Sequence, residues 1–146
     1  MKITSSAFGN GEEIPVKYTC DGEDINPPLQ FEDVPADAQS LVLICNDPDA
    51  PAGTWIHWTL WNIDPKTEGI EESSLPQGAV EGQTSFGKPG YGGPCPPSGT
   101  HRYFFRLYAL DCRLDLSVSA TVNELKQAMA DHLLASAEFF GLYSHH

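Results

Sequence analysis

The stretch that decides the fold is "LVLICNDPDAPAGTWIHWTLWNI", from Leu41 to Ile63. It begins with consecutive apolar residues, "LVLIC", which are typical of a central strand covered on both faces. It ends with "IHWTLWNI", where aromatic and β-branched residues predict a second strand. Two acids, two prolines and a tryptophan lie between these runs. We therefore predict strands over 41–46 and 56–63, joined by a connection that the prolines hold fixed.

Outward from this stretch, short apolar runs alternate with Gly, Pro, Asp and Asn clusters up to about residue 118. This alternation is typical of an all-β sandwich or barrel. The remaining strands are predicted in the runs "IPVKYTC", "PLQFEDV" and "HRYFFRLYAL".

Near the C-terminus the apolar pattern changes to that of a helix. The stretch "TVNELKQAMADHLLASAEFF" puts one apolar stripe on a helical face: Val122, Leu125, Met129, Leu133 and Leu134. Thr121 and Glu124 fit a capping box, and Gly141 offers a stop. We therefore predict one helix over Thr121–Glu138. The predicted fold is mostly β, an antiparallel, Greek-key-like β-sandwich with this C-terminal α-helix packed on it, in a single domain over residues 1–146.

The composition limits the partners. Acids outnumber bases 20 to 8, giving a net charge of −12, which repels nucleic acids and anionic membranes. The start of the chain lacks the apolar core of a secretory signal, and no apolar stretch is long enough to span a bilayer, so we expect a cytoplasmic protein without stable membrane insertion. Cysteines of a cytoplasmic protein are expected to be thiols. This expectation covers Cys20, Cys45, Cys95 and Cys112. The sequence has no C-x-x-C pair, so a structural zinc site is not predicted.

The longest irregular segment is "EGQTSFGKPGYGGPCPPSGT", from Glu81 to Thr100. Loops of this length are uncommon in compact domains and are often binding loops. Its mixture of Gly, Pro and aromatic residues favours a shaped loop. A solvent-exposed tether is the alternative.

Polar residues converge if the strands pair as predicted. Asp47 ends the first strand and His57 begins the second, so an antiparallel connection makes them neighbours. By the period of two, one face of the second strand carries His57, Thr59, Trp61 and Ile63. One face of the "HRYFFRLYAL" strand carries His101, Tyr103, Phe105 and Leu107. If that strand starts at the same sheet edge, two imidazoles, a carboxylate and a phenol meet in one cavity.

Three ordered motifs, "DPDAP", "W-x-H-W" and "PPSGTHRYFF", resemble the phosphatidylethanolamine-binding protein family, which includes the Raf kinase inhibitor protein. The early "IPVKYTCDGEDINPPLQF" is similar to its bacterial and archaeal branch. The resemblance covers about residues 3–142 and implies an antiparallel β-sandwich with a small anion pocket at one end. The ligand-binding residues it implies are Asp47, Trp55, His57, His101 and Tyr103, with Ala50, Pro51 and Pro97 in the wall.

The chain departs from the family pattern at the rim of this pocket. Eukaryotic members often carry two adjacent histidines, whereas Ile56 precedes His57 here. The segment between Pro51 and Trp55 is several residues shorter. Ligand preference and protein partners are therefore not carried over from the family.

The predicted function is the binding of small phosphate or carboxylate groups, because imidazole, phenol and backbone N–H groups are suitable donors. In this hypothesis Asp47 accepts a hydrogen bond from one histidine and favours its protonated form, so binding weakens as the pH rises. The family resemblance further implies that the protein regulates or inhibits a partner kinase or protease. We predict no catalytic residue, no metal and no cofactor. The sequence does not determine the oligomeric state, and a homodimer is one alternative.

Two other function classes compete with this interpretation. Asp47, His57 and His101 are also the residue types of a two-histidine, one-carboxylate metal site in a hydrolase. The hypothesis of a serine hydrolase has less support, because the sequence has no G-x-S-x-G motif and Ser85 and Ser98 lie on the Gly/Pro loop. The third class is a scaffold with a vestigial pocket.

Several nearby residues have structural interpretations. We expect Asp49 to form an Asx-type turn and Arg102 to form an ion pair with Asp49 or another acid. Trp58 and Trp61 are expected in the core, because they lie within a predicted strand.

Overall fold

The computed structural model describes residues 1–145. The strands are β1 (Lys2–Thr4), β2 (Leu29–Glu32), β3 (Ser40–Asp47), β4 (Trp55–Ile63), β5 (Gly69–Ile70), β6 (Val80–Glu81), β7 (His101–Leu110) and β8 (Leu133–Tyr143). One helix, α1 (Val122–Met129), precedes β8, and a 3₁₀ turn spans Val16–Tyr18. His146, the last residue of the predicted domain, lies outside the described residues.

Two antiparallel sheets form a sandwich, as predicted. The small sheet has the order β1-β2-β5 and the large sheet has the order β6-β4-β3-β7-β8. The core joins both, with Ile3, Phe31 and Ile70 from the small sheet packed with Leu43 and Phe105 from the large one. Residues 64–100 connect β4 to β7, which lies on the opposite side of β3 in the sheet.

The central strand is β3, and every one of its residues is buried. Leu41, Leu43 and Cys45 face the sandwich core. Val42 and Ile44 face the other side, where α1 packs through Leu125 and Met129. The uninterrupted apolar run is therefore explained by cover on both faces, as the sequence predicts.

The predicted helix over Thr121–Glu138 is wrong in its second half. The capping box of Thr121 and Glu124 is present, but the helix ends at Met129. From Leu133 the chain runs as β8, paired with the whole length of β7. Pairing with β8 satisfies the backbone groups that β7 would otherwise expose at a sheet edge, and this outweighs the helical apolar spacing. Leu133 and Leu134 are accordingly exposed.

Gly141 is a packing position within β8 and does not end a helix. A Cβ atom there would lie 2.4 Å from Ile14 and 2.6 Å from Phe8. The strand predicted in "IPVKYTC" is also wrong, because Pro15 leads into the 3₁₀ turn, whose Tyr18 is buried.

Two irregularities in the pairing of β3 with β4 change the faces of β4. The sequence predicts one face for His57, Thr59, Trp61 and Ile63, and this is wrong. Trp61 packs on the α1 side, whereas Ile63 belongs to the sandwich core. The second irregularity, between Cys45 and Asn46, leaves His57 as the extra residue of β4. A bulge of this kind redirects a side chain, and the ring of His57 lies 5.2 Å from that of Tyr103.

Asn62 holds the first irregularity in place. Its φ angle is +55°, a left-handed conformation that asparagine tolerates better than most residues. Its amide nitrogen donates to the Leu114 carbonyl and its amide oxygen accepts from the Leu114 N–H, both at 2.7 Å. The side chain therefore connects β4 to the segment that leads into α1.

Replacing Asn62 with alanine is expected to lower the free energy of unfolding by about 2–3 kcal/mol, because two hydrogen bonds are lost and alanine is less suited to a positive φ. Urea denaturation measures the change. The exposed Asn123→Ala variant is the control and is expected to differ from the parent by less than about 0.5 kcal/mol. An Asn62→Ala loss as small as that of the control would contradict this role.

Candidate functional site

A cavity of about 240 Å³ lies where β3 ends and where β4 and β7 begin. All eight residues proposed from the sequence line it: Asp47, Ala50, Pro51, Trp55, His57, Pro97, His101 and Tyr103. Four further residues of the lining were missed: Ala52, Phe86, Cys95 and Pro96. Three of these four lie on the Gly/Pro loop, so the loop composition was their only sequence signal.

Asp47 and His101 form a buried pair in this cavity. The His101 Nδ1 lies 2.7 Å from the Asp47 Oδ2, and the two residues are 7% and 3% exposed. Since a carboxylate only accepts, the ring donates through Nδ1 and its Nε2 is left for other contacts. This identifies His101 as the histidine that the sequence hypothesis places beside Asp47.

The roles of the two acids in "DPDAP" are partly exchanged relative to expectation. The backbone N–H of Asp49 donates to Asp47 Oδ1 at 2.8 Å, so Asp47 itself forms the Asx-type turn. The expected turn at Asp49 is therefore wrong.

Asp49 instead binds Arg102, as the ion-pair prediction anticipates. Its carboxylate accepts from the Arg102 backbone N–H, Nε and Nη2, each at 2.9 Å. The Arg102 guanidinium lowers the pKa of Asp49 to about 2. These bonds fasten the loop after β3 to the first residues of β7, and so hold Asp47 beside His101.

His57 is 4% exposed at the β4 bulge. Its Nδ1 lies 2.6 Å from the carbonyl oxygen of Gly92 and donates to it. Burial lowers the pKa of His57, while the Gly92 carbonyl and the Asp47 charge oppose that shift. The ring is therefore held neutral in the free protein, with Nε2 as an acceptor.

Tyr103 is 1% exposed between the two imidazoles. Its ring centroid lies 5.2 Å from that of His57 and 6.4 Å from that of His101. Its hydroxyl has no hydrogen-bond partner among residues 1–145. Burial and the charge of Asp47 raise its pKa, and the nearby Cys95 backbone N–H opposes this without completing a hydrogen bond. The hydroxyl is therefore a neutral donor beside the cavity.

The loop over Glu81–Thr100 is shaped, as predicted, and the tether alternative is wrong. The Tyr91 hydroxyl donates to the Tyr18 carbonyl at 2.8 Å, and the Gly93 N–H donates to the Asp24 carboxylate at 2.7 Å. Gly93 also lies so close to other backbone that an added Cβ would be 2.4 Å from the Tyr18 carbonyl oxygen. The loop can therefore hold the Gly92 carbonyl against His57.

A disulfide between Cys20 and Cys95 also anchors this loop. The prediction of four thiols is wrong for these two residues and is confirmed for Cys45 and Cys112. The bridged residues are separated by 75 positions, and spacing alone does not reveal such a pair. On the chain-entropy account, closing a loop of that length stabilises the fold by about 4 kcal/mol.

Aromatic side chains surround the cavity mouth and the core beneath it. Trp55 and Phe86 are 37% and 40% exposed and meet edge to face at 5.5 Å. Phe86 also lies edge to face on His57 at 5.4 Å. Trp58 and Trp61 are buried, as predicted, away from the cavity lining.

The residues of the cavity do not form the metal cluster of the alternative hypothesis. Within the described chain, three ligand atoms from His, Cys, Asp or Glu lie within 4.8 Å of one another at two places. These are Cys20, Cys95 and His145, and Asp111, Cys112 and His132. Asp47, His57 and His101 are not among them. Ser85 is likewise occupied, because its hydroxyl accepts from the Ile56 N–H at 2.8 Å.

Comparison with known proteins identifies the family. A sequence profile of the phosphatidylethanolamine-binding protein family matches residues 4–144. The chain belongs to this family. Among residues 1–145 of this family member, no helix is long and apolar enough to cross a membrane.

Relatives and solved structures span the whole domain. The chain is 51% identical to a UPF0098 protein of Methanothermobacter thermautotrophicus, covering 98% of both chains. A crystal structure of CT736 from Chlamydia trachomatis, described as a phosphatidylethanolamine-binding protein homolog, superposes with a TM-score of 0.96 at 44% identity, covering 99% of this chain and 97% of the other. The E. coli protein YbcL, described as a member of the mammalian family, superposes with a TM-score of 0.92 at 28% identity, covering 99% and 98%.

Proposed function

We propose that this protein binds small phosphate or carboxylate groups in the cavity at the end of β3, and that a cavity histidine takes up a proton as they bind. The observation that carries the proposal is the buried Tyr103 hydroxyl, which has no partner among the described residues. Buried polar groups are nearly always satisfied, so an orphan donor beside a cavity points to a ligand that accepts from it.

The tautomers of the two histidines determine how an anion is held. Each ring donates through Nδ1 to a fixed acceptor, the Asp47 carboxylate for His101 and the Gly92 carbonyl for His57. The Nε2 of a neutral ring is then an acceptor and repels a carboxylate. Proton uptake converts Nε2 into a charged donor. Asp47 fixes the tautomer of His101 with Nε2 away from the carboxylate, which explains why an acid lies beside an anion site.

Phosphate has one advantage over carboxylate in such a cavity. Its protonated oxygens donate to a neutral Nε2 while its other oxygens accept from Tyr103. A neutral histidine ring can therefore bind phosphate without taking up a proton, whereas it needs a proton from solution to bind a carboxylate.

Size and surroundings favour a small group. Pockets for drug-sized ligands usually have volumes of about 300–1,000 Å³, and this one has about 240 Å³. Ala50, Pro51 and Pro97 form apolar walls, which strengthen electrostatic contacts by excluding water. The net charge of −12 disfavours large polyanions, so the attraction must be local.

Three finer expectations stay predictions: inhibition of a partner kinase or protease, a cytoplasmic location and a homodimer.

Affinity for acetate is expected to fall as the pH rises from 6 to 8.5, by about tenfold per pH unit where one proton is taken up on binding. The sign follows from His57, since burial lowers its pKa in the free protein and a bound anion raises it. Acetate keeps its charge over this range, so calorimetric titration reports the protein group. The His132→Gln variant, at a half-buried residue outside the cavity lining, is the control and should retain this dependence. An affinity that does not change with pH would contradict coupled protonation.

Replacing Tyr103 with phenylalanine is expected to weaken phosphate binding about tenfold, because one donor is lost. The same change should raise the free energy of unfolding by about 1 kcal/mol, because a buried hydroxyl without a partner is removed. The matched control is Tyr143→Phe, where the lost hydroxyl donates to Asp21 at 2.6 Å. That variant should lose stability and keep its phosphate affinity. Equal phosphate binding by Tyr103→Phe and the parent would contradict the proposal.

A further inference from the structure

The disulfide beside the cavity lies against a histidine that the proposed function does not use. His145 Nε2 lies 3.5 Å from Cys95 Sγ. Nitrogen and sulfur ligand atoms of Cys20, Cys95 and His145 all lie within 4.8 Å of one another. We call these three residues the Cys–His cluster.

The imidazole of this cluster is oriented as a metal ligand would be. His145 Nδ1 lies 3.0 and 3.2 Å from the two carboxylate oxygens of Asp21 and donates to them. Its Nε2 therefore faces Cys95 and is the ring nitrogen that a metal would bind. A carboxylate on the far nitrogen is the usual arrangement behind a histidine bound to zinc, because it fixes the tautomer and makes the ring more basic.

Reduction would complete the ligand set. An external thiol reductant supplies two electrons and two protons, so the Cys20–Cys95 bond breaks into two thiols while the reductant forms its own disulfide. A divalent metal then displaces one proton from each thiol and binds two thiolates. Two sulfurs and one imidazole nitrogen are borderline-soft ligands of the kind that zinc prefers.

We propose that the reduced Cys–His cluster is a zinc site, with Cys20, Cys95 and His145 as ligands and Asp21 orienting the imidazole. The bridged Cα atoms are 5.5 Å apart. Zn–S bonds of about 2.3 Å in a tetrahedron place two sulfurs about 3.8 Å apart, which rotation about the Cα–Cβ bonds can supply from that separation. The three protein ligands leave the fourth position for water.

Zinc in this site would replace the disulfide as the link that anchors one wall of the cavity. Cys95 lines the cavity next to Pro96 and Pro97, and the Cys20 N–H donates to the Pro94 carbonyl at 3.1 Å. Zinc bound to both cysteines would keep this wall anchored when the disulfide is absent. The sequence does not show this site, because it has no C-x-x-C pair and the three ligands come from distant segments of the chain.

The second cluster, at Asp111, Cys112 and His132, is the natural internal control. His132 Nδ1 already donates to the Asp111 carboxylate at 2.8 Å, so two of the three ligand groups there are paired with each other. In the Cys–His cluster the carboxylate that holds the imidazole, Asp21, is not one of the three ligands.

The experiment compares the full chain in its oxidised and reduced forms. Protein reduced without oxygen and freed of reductant is titrated with Co²⁺, which gives a thiolate-to-cobalt charge-transfer absorption. The reduced form is expected to bind one Co²⁺ per chain with this absorption, and Zn²⁺ is expected to displace it. The oxidised form should show none. Zn²⁺ should also raise the melting temperature of the reduced form, or refold it if reduction unfolds it.

Variants then assign the ligands. Asp21→Asn should weaken zinc binding by about 10- to 100-fold, and His145→Ala by more. Cys112→Ser and His132→Ala should bind as the parent does. The proposal is overturned if the reduced chain shows neither the charge-transfer absorption nor stabilisation by zinc, if the oxidised chain shows the same absorption, or if His145→Ala binds zinc as tightly as the parent.

Discussion

The antiparallel pairing of β3 with β4 on one side and β7 on the other is the constraint on which the cavity depends. It brings the end of β3 and the starts of both neighbours to one edge of the sheet. Asp47, His57 and His101 meet there although 54 residues separate the first from the last. The burial of β3 on both faces fixes this register, because a slip by one residue would exchange its core-facing and helix-facing side chains.

Local devices convert this shared edge into a specific arrangement. The bulge at His57 turns its ring toward Tyr103, and the Gly92 carbonyl fixes the ring tautomer. Asp47 does the same for His101, and the bonds between Asp49 and Arg102 hold the connecting loop. Each imidazole is thus oriented by an acceptor, while the Tyr103 hydroxyl has no hydrogen-bond partner among the described residues. Anion binding linked to proton uptake is the chemistry that this arrangement supports best.

The sequence predicts the features that depend on neighbouring residues or on period-two burial. The fold class, the strands β3, β4 and β7, the capping box at Thr121 and the cavity lining all follow from such signals, the lining with the help of the family resemblance. The errors have non-local causes. Leu133 and Leu134 continue the helical apolar stripe, yet residues 133–143 pair with β7 as a strand. The bulges of β4 break the period of two, and the Cys20–Cys95 bridge joins segments whose proximity only the folded chain shows.

The ring nitrogens of His57 and His101 provide the most direct test. Long-range proton–nitrogen NMR spectra distinguish a protonated ring nitrogen from a bare one. At pH 8 without ligand, the account predicts a proton on Nδ1 of both rings and none on Nε2 of His57. Adding acetate at pH 6 should shift the Nε2 of at least one ring toward the protonated form. Free rings protonated on Nε2 alone, or rings that no concentration of acetate changes, would contradict the account.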